Sequence, residues 1–156
     1  MNLMKFNPLQ KKIITTGDGS PSFFIDQLNE TYHSKHGAIT ESDYVYIKKG
    51  FAHWLDQNKQ KTPRIFEMGL GTGLNAYLSY VFAVDHKISC EYVSIEKYPL
   101  SVEEVQSLKM KDTLPATEHH HFFDQLHEVA WGQIFSQSDF LFKKLEEDFF
   151  SIELDQ

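Results

Sequence analysis

The chain is short of cysteine, of positive charge and of long apolar runs, and each shortage narrows what it can be. Its single cysteine, Cys90, cannot close an internal disulfide, and no Cys-rich metal framework can be drawn from it. A reducing, cytoplasmic setting is the expectation. No apolar run reaches the roughly 20 residues that span a bilayer, since the longest strongly apolar stretch, 74–84, carries Asn75 and Ser79 within it. No membrane association is expected. The opening MNLMKFNPLQKK lacks the apolar core and small-residue cleavage site of a secretory signal. Lysine and arginine number 15 against 22 aspartates and glutamates, a net charge of −7, whereas a strongly phosphate-binding surface leans basic. The paired lysines, Lys143-Lys144 among them, read as solvated faces.

What the chain has is aromatic bulk. Thirteen phenylalanines in 156 residues supply enough apolar surface for one ordinary core, so wholesale disorder is excluded. Along residues 1–58 the texture is that of an extension. KKIITTGDGSPSFFIDQ (11–27) reads as two short strands about a Gly-Asp-Gly-Ser-Pro reversal, followed by a helix on which Tyr44, Ile47, Phe51, Trp54 and Leu55 recur at helical spacing. Thr40 or Ser42 is expected to cap that helix. Residues 59–156 then alternate: strand at 65–68, helix at 75–84, β-rich run at 88–95, capping box at Ser101–Glu104 opening a helix to about Lys109, and helical spacing from Phe122 to Val129. Extended runs are expected at 140–145 and 150–154. This alternation implies βαβ units, a parallel sheet and an α/β fold.

The chemistry concentrates in RIFEMGLGTGLNA. A dinucleotide fingerprint spaces its glycines G-x-G-x-x-G, but here Gly69, Gly71 and Gly73 alternate and Leu74 holds the place of the expected third glycine. That weakens a nicotinamide-cofactor reading. With Glu67 inside the strand end, the pattern resembles motif I of class I S-adenosylmethionine-dependent methyltransferases, in which bare backbone lies against the cofactor. A ribose diol calls for a carboxylate roughly 20 residues past the loop, and Glu96 stands 23 positions after Gly73, ahead of Pro99. The cofactor-binding set is thus Glu67, Gly69, Gly71, Gly73 and Asn75, with Glu96 and its neighbour Lys97. By the same resemblance Asp148 takes the place of an acidic residue near the adenine amino group, with Glu146 and Glu147 as competitors.

Four stretches narrow the resemblance: TTGDGSPSFF, ETYHSKHGAITESDYVYI, FEMGLGTGLNA and YVSIEKYPLS. Over about residues 10–156 they resemble the MnmC-like methyltransferases, fused or free-standing, which make the final methyl transfer to 5-aminomethyl-2-thiouridine at the tRNA wobble position. The resemblance implies a Rossmann-like methyltransferase sheet with N-terminal additions, S-adenosyl-L-methionine as cofactor, and tRNA as substrate. It also makes Tyr32, Glu41 and Ser42 candidates for closing over cofactor or substrate, against the plainer reading of Glu41 and Ser42 as helix caps. It implies, further, a strand with an Asp-Ala-Phe-Ala-Pro segment beside the transferred methyl, which this sequence does not contain. Only about 90 residues follow the first motif, so the expectation is a cofactor half cut ahead of the C-terminal strands, its last strand an open edge prone to pairing with another chain. No residue is assigned to the chemical step. Two other readings stand beside this one: an NAD(P)-binding oxidoreductase, and a non-catalytic fragment acting as an interaction module. The histidines His33, His36, His119–His121 and His127 lie in separate segments, and no metal site is expected from them.

Overall fold

The computed structural model describes residues 9–151. The secretory-signal reading of the first residues, and 152–154 of the expected 150–154 extended run, therefore lie outside the described residues. Three strands, β1 (Lys11–Thr15), β2 (Pro21–Ile25) and β3 (Glu30–Thr31), form an antiparallel sheet in that order. A second sheet takes the order β4-β5-β7-β6, from β4 (Arg64–Met68), β5 (Cys90–Glu96), β6 (Ile134–Gln137) and β7 (Phe140–Glu146). β4, β5 and β7 run parallel, and β6 folds back antiparallel on β7. With the helices α3 (Leu74–Asp85), α4 (Val102–Leu108) and α5 (His120–Glu128), this is a mixed α/β fold on a mostly parallel four-stranded sheet.

Three expectations are corrected. β6 follows Trp131-Gly132 where no strand was read, because its four residues alternate too briefly to signal one. An open edge was expected on the last strand, but the last strand among the described residues, β7, lies inside the sheet between β5 and β6, and the edges there are β4 and β6. Phe150 belongs to a 3₁₀ turn, Phe149–Ser151, in which the Asp148 carboxylate accepts the Phe150 N–H and the Asp148 carbonyl accepts the Ser151 hydroxyl.

The segment before β4 is helical from α1 (Ala38–Ser42) through a π-helical stretch (Asp43–Ala52) into α2 (His53–Gln57). Ala38, Ser42, Ile47 and Phe51 are buried along it, and the step of five between Ser42 and Ile47 matches a widened turn. The cap does not come from Thr40 or Ser42, which sit inside the helix. It comes from the hairpin turn. Thr16 Oγ1 accepts the Ala38 N–H (3.2 Å), Ser20 Oγ the Ile39 N–H (3.4 Å) and Asp18 Oδ2 the Thr40 N–H (2.8 Å). Asp18 Oδ1 meanwhile accepts from Thr16 Oγ1 and the Ser20 N–H. Three of the amides that a helix start leaves without intrahelical partners are thus met from another segment.

The capping box at Ser101 forms as read, with Glu104 Oε2 accepting the Ser101 N–H (2.8 Å) and Ser101 Oγ accepting the Glu104 N–H (3.2 Å). Glu104 also pairs with Lys11 (2.7 Å), which ties α4 to β1. The core is aromatic where α3 and α5 meet the sheet: Tyr80 and Phe122 stack with centroids 3.8 Å apart, and both meet Phe140 edge-on. Side chains from both stretches, Phe23, Ala38, Ile47 and Phe51 before residue 59 and Leu74, Tyr77, Phe122 and Phe142 after it, share one buried cluster.

Asp18→Ala removes the acceptor that joins the hairpin to α1 and is expected to destabilise the fold by about 1–2 kcal/mol in urea unfolding. A loss within error of zero would show that water replaces the carboxylate at the helix start.

Candidate functional site

The larger of two cavities among the described residues opens where β4 ends and the glycine loop begins, with a volume of about 1430 Å³. Its wall takes in Tyr32, Glu67, Gly69, Gly71, Asn75, Glu96 and Lys97, so seven of the nine residues proposed from the sequence meet there. Gly73 and Asp148 are not in that wall. Gly73 (φ +76°) stands at the start of α3, and a Cβ on it would lie 2.7 Å from Leu126 Cδ1; its bareness lets α5 pack against the loop. Asp148 instead forms an ion pair (2.6 Å) with Lys97, which does line the cavity. That pair holds both carboxylate and ammonium nearer their charged forms, through the hydrogen bond between them.

Glu96 is the hub. Its Oε2 accepts the Gly71 N–H (3.0 Å) and its Oε1 accepts the Tyr98 N–H (2.8 Å), so one carboxylate ties the glycine loop to the turn after β5. Gly71 has φ +52°, and a Cβ there would press on Tyr32 Cδ1 at 3.3 Å. The Tyr32 ring therefore lies over the loop's bare backbone. Burial, and then the charges of Glu96 and Glu104, push its phenol up to about 12, so it stays protonated.

Two histidines that the sequence reading treated only as weak metal candidates do structural work on this loop. His33 bridges Ser22 Oγ (3.1 Å) and Thr72 Oγ1 (3.2 Å), while His127 Nε2 meets the Thr72 carbonyl oxygen (3.1 Å). Thr72 is held from both sides. Burial lowers both histidines to about 4, with the charge of Lys144 adding to the effect on His127, so both rings are neutral near pH 7. Among the described residues no group of three His, Cys, Asp or Glu side chains is placed to hold a metal ion. No sequence signal marked these histidines, because the contacts span 39 and 55 positions. Lys144, read as a solvated lysine, is also corrected: it is 3% exposed, donates to the His127 carbonyl (2.7 Å) and lies under the Trp131 ring. Burial lowers it to about 8.

Glu41 and Ser42 line the same cavity rather than capping a helix, and Glu41 accepts the Ser34 N–H (2.9 Å). On the opposite wall Glu67 is 9% exposed and accepts from Ser94 Oγ (2.7 Å) and Asn75 Nδ2 (3.1 Å). Asn75 Oδ1 is buried and, among the described residues, meets no donor. Burial pushes the Glu67 carboxyl up to about 7, against the opposing pull of those hydrogen bonds.

Against known proteins, no protein-family model matches the chain. Its sequence is similar to proteins named tRNA 5-methylaminomethyl-2-thiouridine biosynthesis bifunctional protein MnmC. It is 32% identical over 84 residues to that of Leptospira interrogans (serovar copenhageni) and 30% identical over 84 residues to that of Leptospira borgpetersenii (serovar Hardjo-bovis, strain JB197). Each match covers 51% of this chain and 13% of the relative. The fold is similar to the crystal structure of MnmC2 from Aquifex aeolicus, with a TM-score of 0.63 at 25% identity over 92% of this chain and 45% of that one. The chain thus spans a minor part of the relatives it matches, and in sequence and fold it is MnmC-like.

Glu67 is protonated in the folded state over a range where the unfolded chain has lost the proton, from its ordinary 4.5 up to about 7. The stability it contributes is therefore full below that range and declines as pH rises through it. Glu67→Gln should gain on the wild type by on the order of 1.4 kcal/mol per pH unit across the window, measured by urea unfolding at a series of pH values. A pH-independent difference between the two proteins would mean that Glu67 keeps an ordinary carboxylate pKa.

Proposed function

We propose that this MnmC-like chain binds S-adenosyl-L-methionine in the larger cavity, on a Rossmann-like methyltransferase sheet, as the cofactor-holding part of an enzyme that methylates the aminomethyl group of wobble uridine in tRNA. The observation that carries the reading is the clasp of Glu96 on Gly71, which sets a carboxylate beside a loop whose backbone is bare towards Tyr32. Each Glu96 oxygen accepts one backbone N–H, and a carboxylate has acceptor capacity beyond that for the two hydroxyls of a ribose.

The donor set fits this ligand at its other end too. Glu67 and the unpartnered Asn75 Oδ1 belong to adjacent side chains in the cavity wall, and a ligand bringing an amine would supply the donor that Asn75 Oδ1 lacks and a cation beside Glu67. When bound, the cofactor supplies an electrophilic methyl on a cationic sulfur. The chain's own residues bind and orient it: the glycine loop gives close approach, Glu96 holds the sugar, Tyr32 covers the loop, and His33 and His127 keep Thr72 in position. Methyl transfer to an amine needs alignment and an unprotonated nucleophile rather than a covalent enzyme intermediate. The tRNA substrate is part of the same proposal, from the names of the relatives.

Calorimetry with S-adenosylhomocysteine tests the reading, with NADH as the comparison. The expected result is binding of S-adenosylhomocysteine and not of NADH, with Glu96→Ala weakening it more than tenfold, at least about 1.4 kcal/mol. A folded wild-type chain that binds neither ligand, or binds only NADH, would overturn the proposal. The ligand's ammonium near Glu67 would favour the ionised carboxylate. Binding at pH 6 should therefore release protons, read as a dependence of the observed heat on buffer ionisation enthalpy, and Glu67→Gln should abolish that release.

A further inference from the structure

His33 lies between two hydroxyls, and its surroundings decide which way the protons run. Its Nδ1 is 3.1 Å from Ser22 Oγ and its Nε2 3.2 Å from Thr72 Oγ1. The ring is neutral near pH 7, so one nitrogen carries a proton and the other accepts one. Two arrangements satisfy the ring. With the proton on Nδ1, the ring donates to Ser22, Thr72 donates to Nε2, and the Ser22 hydroxyl proton is left over. With the proton on Nε2, Ser22 donates to Nδ1, the ring donates to Thr72, and the Thr72 hydroxyl proton is left over. Ser22 is 0% exposed and lines neither cavity. Its Oγ already accepts the His33 backbone N–H (3.2 Å), and among the described residues no acceptor other than the His33 ring stands near its hydroxyl. A proton left on Ser22 would be a buried donor without an acceptor, which folded chains avoid. Thr72 borders the larger cavity, where a ligand can take the proton.

We propose that Ser22 and His33 act as positioning residues that make the Thr72 hydroxyl a hydrogen-bond donor to the carboxylate on the cofactor's α-amino acid end. The inference rests on the S-adenosyl reading of the larger cavity and names the side chain that recognises this group. An α-amino acid group carries its amine and its carboxylate on one carbon, so it needs acceptors and a donor side by side. The cavity wall has both. Asn75 Oδ1, without a donor, and Glu67, bonded to the same Asn75, are the acceptors. Thr72 is three positions before Asn75, across the first turn of α3. Gly73 is the N-cap of that helix, and among the described residues the N–H groups of Leu74, Asn75 and Ala76 have no acceptor. An open helix start adds a positive potential beside Thr72, which favours an anion there. The opposite orientation would turn the ligand carboxylate towards Glu67 and leave Asn75 Oδ1 without its donor. Thr72 cannot swing freely to other partners, because His127 Nε2 holds its carbonyl from the far side (3.1 Å).

Two measurements test the relay and the contact separately. Nitrogen-15 spectra of the ligand-free, histidine-labelled chain at pH 7, with His33 assigned by its loss in His33→Gln, should show the His33 proton on Nε2. A proton on Nδ1 overturns the relay, whether or not any cofactor binds. Calorimetry then compares S-adenosylhomocysteine with its decarboxylated analogue, which lacks the carboxylate alone. Thr72→Val keeps the side-chain shape and removes the hydroxyl. It should weaken S-adenosylhomocysteine by at least about tenfold, as the loss of a hydrogen bond to a charged acceptor does, and change the analogue by less than about twofold. Thr72→Ser keeps the hydroxyl and should bind S-adenosylhomocysteine within about threefold of the wild type. Equal weakening of both ligands by Thr72→Val would mean that Thr72 only shapes the loop, and would overturn the contact. A folded wild-type chain that binds neither ligand would overturn the cofactor reading and the carboxylate contact with it, while the His33 proton would still report on the relay.

Discussion

The side chain of Asp18, with Thr16 and Ser20 of the same turn, joins the hairpin to the start of the helical segment. It sits in the β1–β2 turn and accepts amides both from its own turn and from the first turn of α1. The direction of the helix that forms one wall of the cavity is therefore set by the hairpin. The short segment strung between these two fixed points carries Tyr32 and His33 to the glycine loop. Burial would raise the Asp18 carboxyl, but hydrogen bonds from Ser20, Thr40 and Thr16 outweigh it and hold the group well below the usual carboxylate range. Its contribution to stability is thus present through neutral pH and is lost only as strong acid protonates it.

The glycine loop shows the other half of the same logic. Gly69, Gly71 and Gly73 all have positive φ, a conformation glycine adopts without strain but also leaves easily. The chain limits that freedom from outside the loop. Glu96 holds the Gly71 amide, His33 the Thr72 hydroxyl and His127 the Thr72 carbonyl. These three holds come from the end of β5, from the segment before α1 and from α5. A flexible sequence is thereby set into one shape before any ligand arrives, which lowers the ordering cost of binding.

What the sequence made legible is what local rules govern. The capping box at Ser101, the strand–loop–helix of β4 and α3, and the convergence of the loop with Glu96 all rest on patterns within about 30 residues of each other. The misread features depend on distant partners. Thr40 looked like a cap because nothing in its neighbourhood said that Asp18, 22 residues earlier, would take its amide. Lys144 looked solvated because its neighbour is lysine, while the groups that receive it, the His127 carbonyl and the Trp131 ring, come from α5 and the turn beyond it. β6 escaped notice because four residues cannot establish a period, and its pairing puts β7 inside the sheet.

Glu67 and Asn75 show where fold and site pull apart. Most of what lines the buried face of the sheet is apolar or aromatic: Tyr92, Phe140 and Phe142 are almost fully enclosed. A carboxyl at Glu67 is costly there, since its charged form is disfavoured by burial, and Asn75 adds a buried oxygen without a donor. An apolar pair of similar shape would pack β4 against α3 at lower cost. The two least favourable groups in this part of the core are neighbours, they are bonded to each other, and they face one cavity. Scattered defects would be an accident of packing. Two that coincide at the foot of a glycine loop are a stability cost that the proposed binding role would explain.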